Sequence, residues 1–442
     1  MKNIKSLFKS NLLKITLLNS ASVVLRIGVG FITSKFIALF VGPAGMALVA
    51  NFRNFMSSVQ AGTSLGFDTG LVKYVAENKD NQHHLKKIIA TIFLFVALLC
   101  CSISVVIFVL SDYLNLLIFS KAYNYSFIFK VFAFALPFYV GSVFLLSIIN
   151  GLGCFKKVLL VNCIGYLIGL LVTILFIYYL QVTGALLSIF ITPSLLFFIS
   201  FYFMQTELKI MQFVKIQFFD FNIIKQFSSY TAMVLVSSII GPLVFIIIRK
   251  NLIDQLGINA AGFWEAITRI ASYYMLFITT ILSLYFLPKL SAANSKRETN
   301  ALFLNYFKMI MPLFGLGLLV LYFLRFFLIK LLLTNAFLPT EQLFFWQLLG
   351  DFFRAASYIL AFQFYAKKLT KAFIISEIVS LTILYFSSIY LVMLYGFKGI
   401  AMAHCVTYIV YFIGLLLFFR KEVFLDSLKK LSLTESNNAS YK

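Results

Sequence analysis

Charge is what this 442-residue chain lacks most: Asp, Glu, Lys and Arg make up 12% of it, about half the share of a soluble domain. Hydrophobic residues fill 62% of the chain. Apolar runs of roughly 20 residues recur from Ile15 to Phe419, each long enough to cross a bilayer core. No stretch between the runs is long enough for a separate soluble domain. A water-soluble fold is excluded, and the chain reads as one all-α polytopic membrane body.

Other absences narrow the function. There are 5 cysteines, and Cys100, Cys101, Cys154, Cys163 and Cys405 all fall in or at the edge of apolar runs. They read as small apolar fillers and not as a disulfide framework. No GxxxxGK[ST] pattern occurs, so nucleotide is not expected to be hydrolysed by this chain. "GLGC" at 151–154 is too short and badly placed for a dinucleotide site. His83 and His84 sit among charges in "ENKDNQHHLKK", and His404 stands alone in the last run, where it reads as a hydrogen-bonded core residue. External loops are too short to carry the catalytic groups of a glycan polymerase. No catalytic residue, metal set or cofactor is read, and a transporter is favoured over an enzyme.

What is present is a net charge of +22, which could suit nucleic acid. Its placement argues otherwise. Twelve spans are read, at about 14–41, 45–72, 88–110, 124–150, 158–180, 184–204, 227–249, 260–288, 301–328, 341–366, 372–395 and 399–419. Of the 37 Lys and Arg, 24 lie in the N-terminus, the even-numbered loops and the C-terminal tail. The odd-numbered loops, with Arg249 at the edge of the seventh span, hold 5. The positive-inside rule then puts both termini in the cytoplasm. Lys-rich residues 1–14 open like a signal peptide, but the run that follows is too long and contains Arg26 and Lys35, so it is read as a retained helix.

The chain also repeats. Gly42 and Gly257, Lys156 and Lys371, and Gly184 and Gly399 are each 215 residues apart. Six spans per half is an even number, so both halves enter from the same side and the repeat is parallel. The expected layout is a six-helix lobe at 1–208, a cytoplasmic linker at 209–226, a second lobe at 227–420 and a basic tail at 421–442. The two lobes would enclose a central cationic cavity.

Polar residues at helical spacing must face protein or water. The second span carries Arg53, Ser57, Gln60, Ser64 and Asp68 on one face. The eighth carries Glu265, Arg269, Ser272, Thr279 and Ser283. The first has Asn19, Ser22, Arg26 and Thr33, and the tenth has Gln347, Asp351, Arg354 and Tyr358. The seventh is rich in serine (Ser228, Ser229, Ser237, Ser238) and is broken by Gly241-Pro242. Arg26 and Arg53 lack an acidic partner at i±3 or i±4, and an unpaired arginine near the bilayer centre costs about 2.5–3.5 kcal/mol, so such residues usually face a wet cavity. A bond from Arg53 to a neighbouring helix's carbonyls is the structural alternative. Lys35 lies about half a revolution from the Arg26 face and is read as snorkelling to the nearby turn. Lys130 and Arg325 read as snorkelling or interhelical residues. Glu265–Arg269 and Asp351–Arg354 could each be an intrahelical ion pair. Arginine's fork suits phosphate oxygens, so the cavity is expected to take an anion. Asp68, Glu265, Asp351 and Glu377 are the candidate carboxylates for ion coupling. Glu377 and Asp68 are preferred because no arginine stands near them on their own helices.

"SKFIALFVGPAGMALVANFRNF", "LGFDTGLVKYVAE" and "INGLGCFKK" resemble the N-terminal signature of O-antigen and enterobacterial-common-antigen-type flippases. These belong to the multidrug/oligosaccharidyl-lipid/polysaccharide exporter superfamily. The resemblance is most specific over residues 15–90 and 130–200. It implies twelve helices in two lobes and translocation of undecaprenyl-pyrophosphate-linked glycan repeat units across the bacterial inner membrane. Partners would be that lipid-linked glycan, membrane lipids and glycan polymerase or ligase machinery, with no nucleic acid. Arg26, Lys35 and Arg53 match the family's basic cavity positions, which for Lys35 conflicts with the face reading. Asp68 stands where an uncharged polar residue is expected. The alternatives are a cation-coupled multidrug exporter of the same superfamily, which would favour an acidic cavity, and a membrane glycan polymerase.

Overall fold

Inside a bilayer the main chain has no water to bond, so an apolar chain satisfies its amides and carbonyls within helices. The computed structural model describes residues 11–119, 121–225 and 236–420, which are helical almost throughout and contain no strand. The side chains of 11–20, 69, 236 and 237 lie outside the description. So do Ser228, Ser229 and the tail at 421–442, and with them the expectations for Asn19 and Ser237.

The first unit in chain order holds α1 (Asn11–Phe40), α2 (Gly42–Ser64), α3 (Phe67–Asn78), α4 (Gln82–Val109), α5 (Ser111–Phe119), α6 (Ser126–Gly151), α7 (Phe155–Glu207) and α8 (Gly241–Leu256). There follow α9 (Ile258–Ile281), α10 (Leu287–Ala292), α11 (Lys296–Asn305), α12 (Met311–Phe323), α13 (Arg325–Leu332), α14 (Glu341–Ala366), α15 (Thr370–Tyr395) and α16 (Lys398–Phe418). Among the described residues, 8 helical stretches are long and apolar enough to cross a membrane. The polar-striped α2 and α14 are not among them. The fifth and sixth spans form the single helix α7, bent at Gln181 (φ 48, ψ −120). The expected second span, 45–72, is corrected: Leu65 (φ 46) and Gly66 (φ 73) are both left-handed and end α2, so Asp68 opens the separate α3. There its carboxylate faces a helix N-terminus, where negative charge is favoured.

Three prolines explain local widening of the helices. Pro242, Pro288 and Pro312 each follow a π-turn, at Val236–Ile240, Leu282–Phe286 and Tyr306–Ile310. A proline cannot donate to the carbonyl four residues back and its ring crowds that carbonyl. In all three cases the crowded carbonyl (Ser238, Leu284, Lys308) falls inside the π-turn, whose wider winding relieves it.

The repeat is written in the backbone. Positive φ recurs at an offset of 215 residues: Gly42 (68) and Gly257 (85), Gly153 (81) and Lys368 (55), Gln181 (48) and Gly396 (60). A Cβ on Gly184 would strike the carbonyl of Phe176, and one on Gly399 would strike that of Leu391, again 215 residues on. Each half therefore makes the same hairpin between its last two long helical segments, with glycine at the point of closest approach.

Contacts divide the chain into two compact units, Met1–Arg249 with Leu332–Thr334, and Lys250–Leu331 with Asn335–Lys442. The division falls at the end of α8 and not in the expected linker at 209–226. The linker docks on α4: Phe213 and Ile223 are buried, the amide of Asp220 donates to Thr91 Oγ1 (2.9 Å), and Lys86 lies over the rings of Phe213 and Phe218. Helix α8 is tied to α2, where Ser58 Oγ donates to the carbonyl of Ile239 (3.3 Å). Arg249 Nη1 donates to Asn51 Oδ1 (2.9 Å), whose own amide donates to the carbonyl of Ile118 (3.0 Å). Arg249 is only 2% exposed. Beside Asn51 the core is a cluster of Phe52, Phe55, Phe119, Phe129, Phe132 and Phe190, with ring centroids 5.3–6.2 Å apart.

Candidate functional site

In the second unit, α14 presents Gln347, Asp351, Arg354 and Tyr358 at steps of four, three and four, which puts them on one face. That face is built against α16 because Gly350 has no side chain. A Cβ there would lie 2.9 Å from Cys405 Cα and 2.5 Å from the His404 ring. The close approach delivers His404 to Asp351, which is fully buried. His404 Nε2 stands 3.0 Å from Asp351 Oδ1 and 3.1 Å from Gln347 Nε2. Gln347 Nε2 donates to Asp351 Oδ2 (2.9 Å), and Tyr274 of α9 donates to the same oxygen (2.5 Å). Gln347 Oε1 is buried without a partner among the described residues.

Arg354 is the outer member of this network. Its Nε donates to Tyr358 Oη (2.8 Å), and its Nη1 stands 3.7 Å from Asp351 Oδ1. The guanidinium lies 5.5 Å from the Tyr358 ring centroid and 5.4 Å from that of Tyr408. Cation–π attraction and the Asp351 charge thus hold it in place. Its side chain remains 28% exposed, and Nη2 makes no hydrogen bond to the described residues. Such a fork, fixed on one side and open on the other, is suited to an oxyanion. Glu377, from α15, is half-buried and within Coulombic reach of Arg354. The reading that no cation stands near Glu377 is therefore corrected: its own helix supplies none, but α14 does.

In the first unit α2 carries Arg53, Ser57, Gln60 and Ser64 as expected, with Arg53 half-buried. Gln60 accepts a hydrogen bond from Tyr139 of α6. Gln60, Ser64 and Asp68 line one pocket with Phe67, Val140 and Phe144, so the break at Leu65–Gly66 keeps them together. The cations of α1 sit elsewhere. Arg26 is exposed and near Tyr166, whereas Lys35 donates to the main-chain carbonyl of Leu333. Glu265 is buried, Arg269 half-buried, and Ser272 is exposed with its hydroxyl on the carbonyl of Arg269 (2.6 Å). Lys130 is exposed, and Arg325 pairs with Glu341 (3.4 Å). Sequence reasoning did not connect His404, Tyr274 and Tyr408 to Asp351 and Arg354, nor Arg249 to Asn51.

A polar cluster inside an apolar helical bundle, built around an open arginine, agrees with one comparison directly. Residues 12–294 match the family model of the polysaccharide biosynthesis proteins. The chain belongs to that family. A Lipid III flippase of Escherichia coli (strain K12) is 28% identical over 408 residues, covering 91% of this chain and 96% of the relative. A Lipid III flippase of Shigella flexneri matches to the same extent. Among solved structures, an inward-facing multidrug resistance MATE family transporter of the MOP superfamily aligns with a TM-score of 0.73 at 14% identity, over 90% of this chain and 98% of that one. The Lipid II flippase MurJ, in an inward closed conformation, aligns with a TM-score of 0.66 at 15% identity, over 96% and 93%. At those identities the likeness is one of fold. This member of the family is thus a multi-pass, all-helical membrane protein with the fold of the MOP superfamily, as the motifs at 15–90 and 130–200 imply.

Proposed function

We propose that this chain is a flippase that moves undecaprenyl-pyrophosphate-linked oligosaccharide, such as an O-antigen-like repeat unit, across the bacterial inner membrane by alternating access. The observation that carries the reading is Arg354, a guanidinium clamped by Asp351, Tyr358 and Tyr408 with donors left open. A pyrophosphate linkage and hydrated sugars cannot cross hydrocarbon unaided, and desolvated arginine is the side chain best matched to phosphate oxygens. Arg53 in the first unit supplies a second cation, and Gln60 and Ser64 offer hydrogen bonds to sugar hydroxyls. The end-to-end relation to a Lipid III flippase supports the same substrate class. Both termini lie in the cytoplasm in this reading, and the exported lipid-linked glycan is handed to polymerase or ligase machinery outside.

Removing the protein from its host tests the proposal. Lipid-linked oligosaccharide should accumulate on the cytoplasmic side, and re-supply of the wild-type chain should clear it. Arg354→Gln should fail to clear it, and Arg354→Lys should restore part of the activity. Heightened sensitivity to cationic drugs with no lipid-linked glycan accumulated would instead assign a multidrug exporter.

A further inference from the structure

The network behind Arg354 contains a contradiction that one proton resolves. His404 Nε2 faces Asp351 Oδ1 at 3.0 Å and the Gln347 amide nitrogen at 3.1 Å. The nitrogen bears either a hydrogen or a lone pair. With a hydrogen it donates to Asp351, and with a lone pair it accepts from Gln347; it cannot do both. In the second case Asp351 Oδ1 loses its nearest donor, and the guanidinium of Arg354, 3.7 Å away, is the cation left to satisfy it. His404 and Arg354 therefore compete for one carboxylate oxygen.

Charge counting points the same way. The charged and titratable groups facing the pair are Arg354 and Tyr358 on α14, Tyr274 on α9, Glu377 on α15, and Cys405, Tyr408 and Tyr411 on α16. With His404 neutral, Asp351 and Glu377 outnumber Arg354, and an arriving phosphate meets a net negative site of low dielectric. A proton on His404 cancels one of the two carboxylates and loosens the hold of Asp351 on Arg354.

We propose that Asp351 and His404 are positioning residues that couple anion binding at Arg354 to uptake of one proton by His404. The proposal rests on the reading of Arg354 as a pyrophosphate-binding residue. The proton comes from water, binds the imidazole as the pyrophosphate docks, and leaves when the substrate leaves. Coordination of a metal cation by Asp351 is disfavoured, since His404 and Arg354 already stand where the cation would go.

The test uses the full-length protein in nanodiscs with geranyl-diphospho-N-acetylglucosamine, a diphosphate diester that does not itself titrate near neutral pH. Wild-type binding should weaken as pH rises, by up to about tenfold per unit where one proton is linked. His404→Gln should bind the probe with a flat pH profile, Glu377→Gln should keep the slope, and Arg354→Gln should bind weakly at every pH. Calorimetry of the wild type in two buffers of different ionisation enthalpy gives an independent reading, with about one proton taken up per probe bound on the alkaline side. A slope that survives in His404→Gln, or no proton uptake by the wild type, overturns the coupling while leaving Arg354 as the anion site. Binding that is unchanged by Arg354→Gln, or no binding by the wild type at any pH, overturns the reading of Arg354 and the coupling with it.

Discussion

Gly399→Ala puts the duplicated hairpin to a quantitative test. In the folded chain a Cβ at 399 would lie 2.6 Å from the amide nitrogen of Val392 and closer still to the carbonyl of Leu391. At Gly184 the equivalent atom would lie 3.0 Å from the amide nitrogen of Ile177 and closer to the carbonyl of Phe176. Comfortable contact needs about 3.5 Å or more, so the paired segments must part by on the order of 1 Å. The obstructing atoms are main chain and cannot rotate aside. Overpacking of this kind costs about 3 kcal/mol, roughly a hundredfold in the folding equilibrium. Gly414 and Gly28 are the controls, because a Cβ there meets nothing within 4 Å. At those helical positions alanine should be neutral or stabilise by about 0.5–1 kcal/mol. The assay is the fraction of monodisperse protein surviving heating in detergent, with reversible unfolding in SDS for the free energies. Gly399→Ala and Gly184→Ala should each fall well below wild type, and Gly414→Ala should not. If either hairpin variant is as stable as Gly414→Ala, the close approach is not a constraint on the fold and the reasoning fails.

Three further outcomes are expected. In a background without the five native cysteines, which are all free thiols, a cysteine at Thr183 should react with an impermeant thiol reagent added outside and one at Asp80 should not; the opposite labelling would invert the topology. Arg53→Ala should abolish transport with the protein still inserted and folded, whereas Lys130→Ala, at an exposed position, should be nearly silent; equal losses would make Arg53 structural. A double-mutant cycle between Asn51→Leu and Arg249→Met should give a coupling of about 1–2 kcal/mol, the range for a buried hydrogen bond to a charged group moderated by the membrane. A coupling near zero would mean that the 2.9 Å contact does not hold α8 to α2.

The legibility of this chain follows the range of its interactions. The stripe from Gln347 to Tyr358 could be read because its members are one turn apart, and the hairpins announced themselves through Gly184 and Gly399. The bend at Gln181 was hidden, since its partner in the repeat is Gly396 and a glutamine signals no positive φ. Lys368, opposite Gly153, was hidden in the same way. The break that separates Asp68 from α2 depends on Leu65 in a left-handed conformation, which no propensity favours. His404 looked solitary because its carboxylate lies 53 residues earlier, on a different helix. Arg249 was counted with an external loop because it closes an apolar run beside Lys250, yet it is among the most deeply buried side chains of the first unit. A signal was present there: a cation at the edge of a run has an alternative to snorkelling whenever another helix offers a polar residue such as Asn51 at matching depth.

The central claim is that this protein carries a pyrophosphate-linked glycan across a bilayer. It is tested most directly by reconstituting the purified chain into proteoliposomes bearing a fluorescent undecaprenyl-pyrophosphate oligosaccharide in both leaflets, and following the fraction open to a membrane-impermeant quencher. Wild-type protein should bring the inner-leaflet pool to the quencher, Arg354→Gln should not, and an otherwise identical lipid with the pyrophosphate replaced by an uncharged linkage should stay in place. Equal translocation of the charged and uncharged lipids, or none of either by the wild type, would contradict the account.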